Sequence, residues 1–328
     1  MTAKRWIVTR IAQTTFQHWP AKSSVATRWM QVWDSEFFRS LRASPAAMGA
    51  AIIVGVFLLS SVFAPWVAPH NPYDLATLDL LDSQLPPAWL KGGRWTYLFG
   101  TDDQGRDILS TIIYGSRVSL IVGFASVALS AVLGSLIGLA TGYFGGWIEA
   151  LAMRLADLQL TIPAILLALL INGVSHALLP RDLRSAVALY TLIFAIGIAH
   201  WPQFARVARA STLAEREKDY VQAARVTGVH PVSILLRHIL PNISGPLMVL
   251  STLGLAYAIL SEASLSFLGV GTPATQPSLG TLIRIGNSYL FSGQWWMSLI
   301  PSLALLTLML AVNLFGDWLK DAFNSKLR

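Results

Sequence analysis

Few residues of this chain pair a reactive side chain with a telling neighbourhood. Glu262 is the only acidic residue placed inside a long apolar run. A carboxylate at membrane depth is costly, and a working role is its default reading. It could line a pathway or meet an ammonium group of a solute; equally it could be held by a helix end or by an arginine such as Arg117. A second polar group, Asp102, Asp103, Arg106, Asp107, Arg117 and Ser119, lies within residues 98–120, and by spacing alone it reads as well as a solvated loop. The third set, Gln222, Arg225, Arg237 and His238, occupies a polar island at 220–242. The six histidines, at 18, 70, 176, 200, 230 and 238, are scattered, and no metal-ligand spacing joins them. No Gly-rich phosphate loop, HExxH or GxSxG motif occurs. Cysteine is absent, which excludes disulfides and thiolate chemistry. No constellation for bond-making chemistry is evident in these residues.

The elements that must position these groups are membrane helices. The 328 residues are 54% hydrophobic and 12% charged, about half the charge of a soluble globular protein. Six apolar runs read as spans: 46–68, 119–140, 158–174, 186–200, 245–268 and 296–315, a crossing taking about 20 residues. The fold class expected is therefore all-α and integral to the membrane. The third run is short and carries Pro163, and the fourth has the least certain boundaries. In the second, Gly134 and Gly138 form a small-xxx-small pair that permits close helix contact in lipid. The segments between are a basic stretch at 1–44, a first helix at 45–68, a polar loop at 69–118, a core at 119–316 and a tail at 317–328. Within 1–44, Trp29, Trp33 and Phe37 recur every fourth residue, which suits an interfacial helix lying in lipid or one packed on protein. No cleavable leader is expected, since the first long apolar run begins near Ala46.

Lysine and arginine set the expected orientation. With the N-terminus inside, 17 of the 24 basic residues fall on inner segments, as the positive-inside bias requires. Both termini and the 220–242 island are then cytoplasmic. The net charge of +7 is thus a membrane asymmetry, and no nucleic-acid partner is expected.

The island itself reads as two short helices with a break. Gly228 suits the position past a helix end, where a left-handed backbone is needed. Pro231 suits the first turn of the next helix. Val232, Leu235, Leu236 and Ile239 then recur at spacings of three and four, and Pro241 closes the pattern. This could be a docking element or an ordinary amphipathic loop.

Three stretches, 98–120, 222–242 and 260–280, together resemble the permeases of dipeptide, oligopeptide and nickel ABC importers, specifically the second of their two membrane subunits. The island is similar to the "EAA" loop of binding-protein-dependent importers: Gln222-Ala223-Ala224, then Gly228, then Leu240-Pro241 at the expected distance. Gln222 stands where that pattern has Glu and His238 where it has Ile; both are usual in the peptide/nickel branch. The resemblance covers about residues 45–325. It implies a type I ABC importer permease fold with six transmembrane helices, in a bacterial inner membrane. It implies a heterodimer with a second permease, two ATPase subunits that bind ATP and Mg, and an extracytoplasmic substrate-binding protein. No cofactor, metal or catalytic residue is implied for this chain. The coupling loop would be 206–243, with Gln222, Ala223, Ala224, Arg225, Gly228, Arg237, His238, Leu240 and Pro241 facing an ATPase. Asp102, Arg106, Asp107 and Arg117 would pack an outer gate or meet the binding protein, and Glu262 would join the pathway candidates. The implied cargo is a di- or oligopeptide, with nickel, glutathione or a peptide-like antibiotic as alternatives. A stand-alone channel or secondary transporter would need an internal repeat with broken midplane helices, which is not evident.

Overall fold

The computed structural model describes residues 36–74, 78–273 and 275–325. Trp29 and Trp33 lie outside them, as does the side chain of Phe37, and with them the expected interfacial helix. The chain divides into two units, 1–45 and 46–328. In the first, helix α1 spans Glu36–Ala43. The second is a helical bundle: α2 Pro45–Val62, α3 Ala64–Val67, α4 Ile108–Phe144, α5 Gly146–Leu160, α6 Ala164–Leu178, α7 Arg181–Arg216, α8 Asp219–Val226, α9 Pro231–Ser233, α10 Leu240–Phe267, α11 Leu279–Asn287 and α12 Trp296–Ser325. A π-helical turn at Ile234–Ile239 joins α9 to α10.

Among the described residues, five helices are long and apolar enough to cross a membrane, and the bent pair α5–α6 passes the same test when its two halves are taken together. That pair bends by 93° at Thr161–Pro163, where proline cannot continue the amide ladder. Residues 141–158, expected as a polar connection, are thus mostly helix, interrupted at Gly145 (φ +68°), with Gly146 opening α5 at φ +60°. Two other helices outrun their apolar stretches. α4 begins eleven residues before the expected span, because Asp107 caps it: the carboxylate accepts from the Ser110 amide at 2.8 Å. α7 continues past Pro202 to Arg216.

The longest contact in the bundle is between α4 and α7. Ser126 and Ser130 donate from α4 to the carbonyls of Ile193 (3.3 Å) and Gly197 (2.8 Å) on α7. One and two turns on, Gly134 and Gly138 abut Trp201–Phe204 and Ala205–Ala208, and Gly142 meets Arg209 and Thr212. A Cβ at Gly138 would stand 2.4 Å from the Ala208 methyl and 2.5 Å from the Ala205 carbonyl oxygen. Partners keep one constant offset of 67 positions, so the two helices run parallel, and α5–α6 returns the chain between them. The Gly134–Gly138 pair expected to allow close approach does so, and Gly142 extends it.

Pro202 removes the amide that would bond the Ile198 carbonyl. That carbonyl instead accepts from Gln159 Nε2 at 2.5 Å, while Trp201 Nε1 donates to Gln159 Oε1 at 2.8 Å. One side chain of α5 thereby satisfies the proline site of α7 and fixes the bent span against it.

Gly138→Leu should lower the stability of the detergent-solubilised chain by about 3 kcal/mol, the upper end of overpacking costs, read as a fall in melting temperature. Gly245→Ala, where an added Cβ meets nothing within 4 Å, should leave it unchanged or higher.

Candidate functional site

At one end of the bundle, α8 leaves the end of α7 and the chain returns through α9 and the π-turn. The break between α8 and α9 is a Schellman motif. The Val229 amide bonds the Ala224 carbonyl and the Gly228 amide that of Arg225, each at 3.0 Å. Gly228 takes φ +77°, as expected. An added Cβ there would meet open space, so the demand for glycine is conformational, not steric.

The buried face of the element carries Val221, Ala224, Ile234, Leu235 and Ile239, packed with Leu139, Phe204, Ala208 and Ile243. Ile234 and Ile239 lie five apart because the π-turn, not an α-helix, sets their column. The expected apolar face is therefore split: Leu235 and Ile239 point inward, while Val232 and Leu236 are exposed. Pro241 does not end the helix either. It sits in the first turn of α10, a position that tolerates the missing amide, and Asn242 Nδ2 donates to the His238 carbonyl at 2.6 Å.

The nine expected coupling residues come together here with distinct surroundings. Ala224 faces the bundle and Ala223 faces outward. Gln222 Nε2 donates to the Arg216 carbonyl at 3.1 Å. Arg225 lies 4.6 Å above the Tyr143 ring of its own bundle. His238 Nδ1 is 3.4 Å from the Ser233 carbonyl oxygen. Leu240 packs against the buried cluster; Arg237 and Pro241 are exposed. Around them runs a network that spacing did not reveal. Tyr220 donates to Glu215 at 2.6 Å, Lys218 Nζ to the same carboxylate at 3.0 Å, and Asn242 Nδ2 to the Tyr220 oxygen at 3.1 Å. Burial, then the Glu215 hydrogen bond, push the Tyr220 phenol up to about 12, so it stays a donor at physiological pH. The network braces both limbs of the element against α7. Outward it leaves apolar side chains, Ala223, Val226 (89% exposed), Val232 and Leu236, set among the exposed polar residues Arg225, Thr227, His230 and Arg237.

At the opposite end, Glu262 of α10 is 0% exposed. It accepts from Ser119 of α4 and from Ser266, each at 2.7 Å, and Ser278 also hydrogen-bonds to it. Ser119 Oγ in turn accepts from the Leu279 amide, the first of α11, at 3.4 Å. Glu262 thereby links α4 and α10, and through Ser119 the start of α11, by hydroxyl partners; among the described residues it forms no ion pair with Arg117. Asp102 and Arg106 form a buried pair at 2.6 Å, the Asp102 carboxylate also accepting from the Arg106 and Gln104 amides at 2.9 Å. Asp107, besides capping α4, takes the Ser110 hydroxyl at 2.6 Å. These acids hold the outer loop; of the candidates at this end, Arg117 alone is exposed. Asp103 is half-buried, and desolvation followed by the neighbouring Asp102 raises its carboxyl above the usual range.

A polytopic helical bundle with such a terminal element has the type I ABC importer permease fold. In solved structures it is similar to a chain of the MetNI methionine ABC transporter in inward-facing conformations, with TM-score 0.51 and 19% identity over 65% of this chain and 96% of that one. Residues 134–328 match the family described as binding-protein-dependent transport system inner membrane component, and residues 31–87 match the N-terminal TM domain of oligopeptide transport permease C. The chain belongs to this family of ABC transporter permeases. It is 39% identical over 293 residues to the dipeptide transport system permease protein DppC of Haemophilus influenzae, covering 89% of this chain and 95% of the relative. It is 37% identical over 293 residues to the di/tripeptide transport system permease protein DppC of Pseudomonas aeruginosa, covering 89% and 92%.

Glu262→Leu should leave serine hydroxyls buried without their acceptor, at about 1–3 kcal/mol, seen as a lower melting temperature. Glu262→Gln, which keeps one acceptor oxygen, should lose less. A pathway role without a structural one would show the reverse: normal melting and altered transport.

Proposed function

We propose that this chain is the non-catalytic second permease subunit of an ATP-driven importer of di- and oligopeptides. It works as half of a heterodimeric pathway in a bacterial inner membrane, with both termini and the 206–243 loop cytoplasmic. Two ATPase subunits bind ATP and Mg, and an extracytoplasmic binding protein delivers cargo. The peptide cargo is supported by the relatives, which are dipeptide and di/tripeptide transport permeases. The observation that carries the coupling role is the outward face of the α8–π-turn element. Val226, Val232, Leu236 and Ala223 expose apolar surface on a unit braced by the Tyr220 network. Apolar surface on a braced, projecting element suits insertion into a groove of a partner.

In this reading ATP closure of the ATPase pair displaces the element, and the buried cluster passes the displacement to α4, α7 and α10. A ligand shifts such an equilibrium only through contacts that differ between its states. The contacts here are those of the exposed face, together with Arg237. Arg225, engaged with Tyr143, contributes chiefly by holding the element.

Val226→Asp tests the docking face. A substitution at so exposed a position should change stability by no more than about 0.5 kcal/mol. In proteoliposomes holding the complete complex it should sharply reduce peptide uptake and weaken ATPase association. Gly228→Val, which forces a β-branched residue into the left-handed region at about 1–2 kcal/mol, should leave membrane insertion intact and separate ATP hydrolysis from uptake. Unchanged uptake in both variants would refute the coupling role.

A further inference from the structure

A cavity of about 480 Å³ opens at the end of the bundle remote from Gly228, lined by Tyr73, Tyr114, Arg117, Ile121, Tyr190 and Gln276. Its volume is in the range of small-molecule sites. Arg117 is exposed into it. Three acids at this end are committed elsewhere: Asp102 to Arg106, Asp107 to the cap of α4, and Glu262 to serine hydroxyls. Among the described residues, no carboxylate forms an ion pair with Arg117.

The walls are aromatic. The Tyr73 ring meets that of Tyr114 edge-on, with centroids 5.1 Å apart. Burial pushes the Tyr73 phenol up to about 12, so it offers a hydroxyl and no competing charge. Ile121 and its neighbours give an apolar floor, and Gln276 supplies an amide. One planar cation beside amphipathic rings and an apolar surface suits a monoanion with a hydrophobic group close to it. The guanidinium fork matches a carboxylate in two-point contact, and tyrosine rings offer area at low entropic cost.

We propose that this cavity binds the carboxylate end of a small peptide-like solute, with Arg117 clamping the carboxylate and Tyr114 and Tyr190 flanking the adjoining side chain. The inference rests on the importer reading above and adds a cargo-binding site within this chain.

The test uses the complete membrane complex in nanodiscs without the binding protein, with radiolabelled Ala-Phe and its C-terminal amide as probes. Ala-Phe should bind, and the amide should bind at least tenfold more weakly. Arg117→Gln should weaken Ala-Phe at least tenfold, Arg117→Lys less, and Tyr190→Ala several-fold. Melting temperature, measured alongside, should not move. No binding of Ala-Phe, equal binding of acid and amide, or insensitivity to Arg117→Gln overturns the proposal. So does occupancy by dioctanoyl phosphatidylglycerol that Ala-Phe cannot displace, which would mark a lipid headgroup site. Uptake of Ala-Phe by the complete system, binding protein included, is scored separately. Uptake with a cavity indifferent to Ala-Phe sinks the cavity alone; absence of uptake in the unaltered complex sinks the importer reading.

Discussion

The backbone approach of α4 to α7 is the constraint on which the bundle depends. Lipid offers no hydrophobic drive between helices, so association rests on close packing and interhelical hydrogen bonds. Here both act along one strip, Ser126, Ser130, Gly134, Gly138 and Gly142, against residues 193–212. Because the two helices run parallel, the chain must return between them, and α5–α6 does so with a sharp bend. That bend is fixed by Gln159, which occupies the carbonyl freed by Pro202. One contact therefore dictates the topology of the central half of the protein.

The two ends of this pair are finished differently. At one, Glu262 gathers hydroxyls from α4, α10 and the approach to α11, so the most expensive group at membrane depth becomes a joint. At the other, the Glu215–Lys218–Tyr220–Asn242 network braces a projecting element whose inner face is continuous with the helix core. A push on the outward face of α8 meets side chains packed against Phe204 and Ala208, in the stretch where α7 lies against α4.

Much of this was legible in the residues. Hydropathy located five of the long helices, while the run expected as a third span at 158–174 straddles the break between α5 and α6; the EAA-like spacing located the terminal element, and Gly134 and Gly138 marked a close contact. Helix ends were less legible, because α4 and α7 run on through polar residues; a cap at Asp107 starts one, and Arg206, Arg209 and Arg216 ride on the other. The π-turn left no periodic trace, and a three-and-four spacing therefore put Val232 and Leu236 on the wrong face. Asp102, Arg106, Asp107 and Glu262 drew attention as charges, but their neighbours decide their work: each is engaged by groups of the chain itself, whereas Arg117 faces a cavity. Gln159 could not be singled out, because its importance comes from a proline some forty positions away.

The strip on α4 has a further consequence for how this segment can vary. Its members recur every fourth residue, so they form one continuous ridge along the helix surface. Each residue advances the helix by about 100°. A single inserted or deleted residue between Ser126 and Gly142 would therefore turn everything beyond it by that angle and bring large side chains where glycines must lie. Exposed residues off the ridge, such as Val132 and Leu136, can change more readily in kind, but the stretch has no freedom in length. It behaves like the teeth of a rack, where the pitch is inherited intact or the mesh is lost.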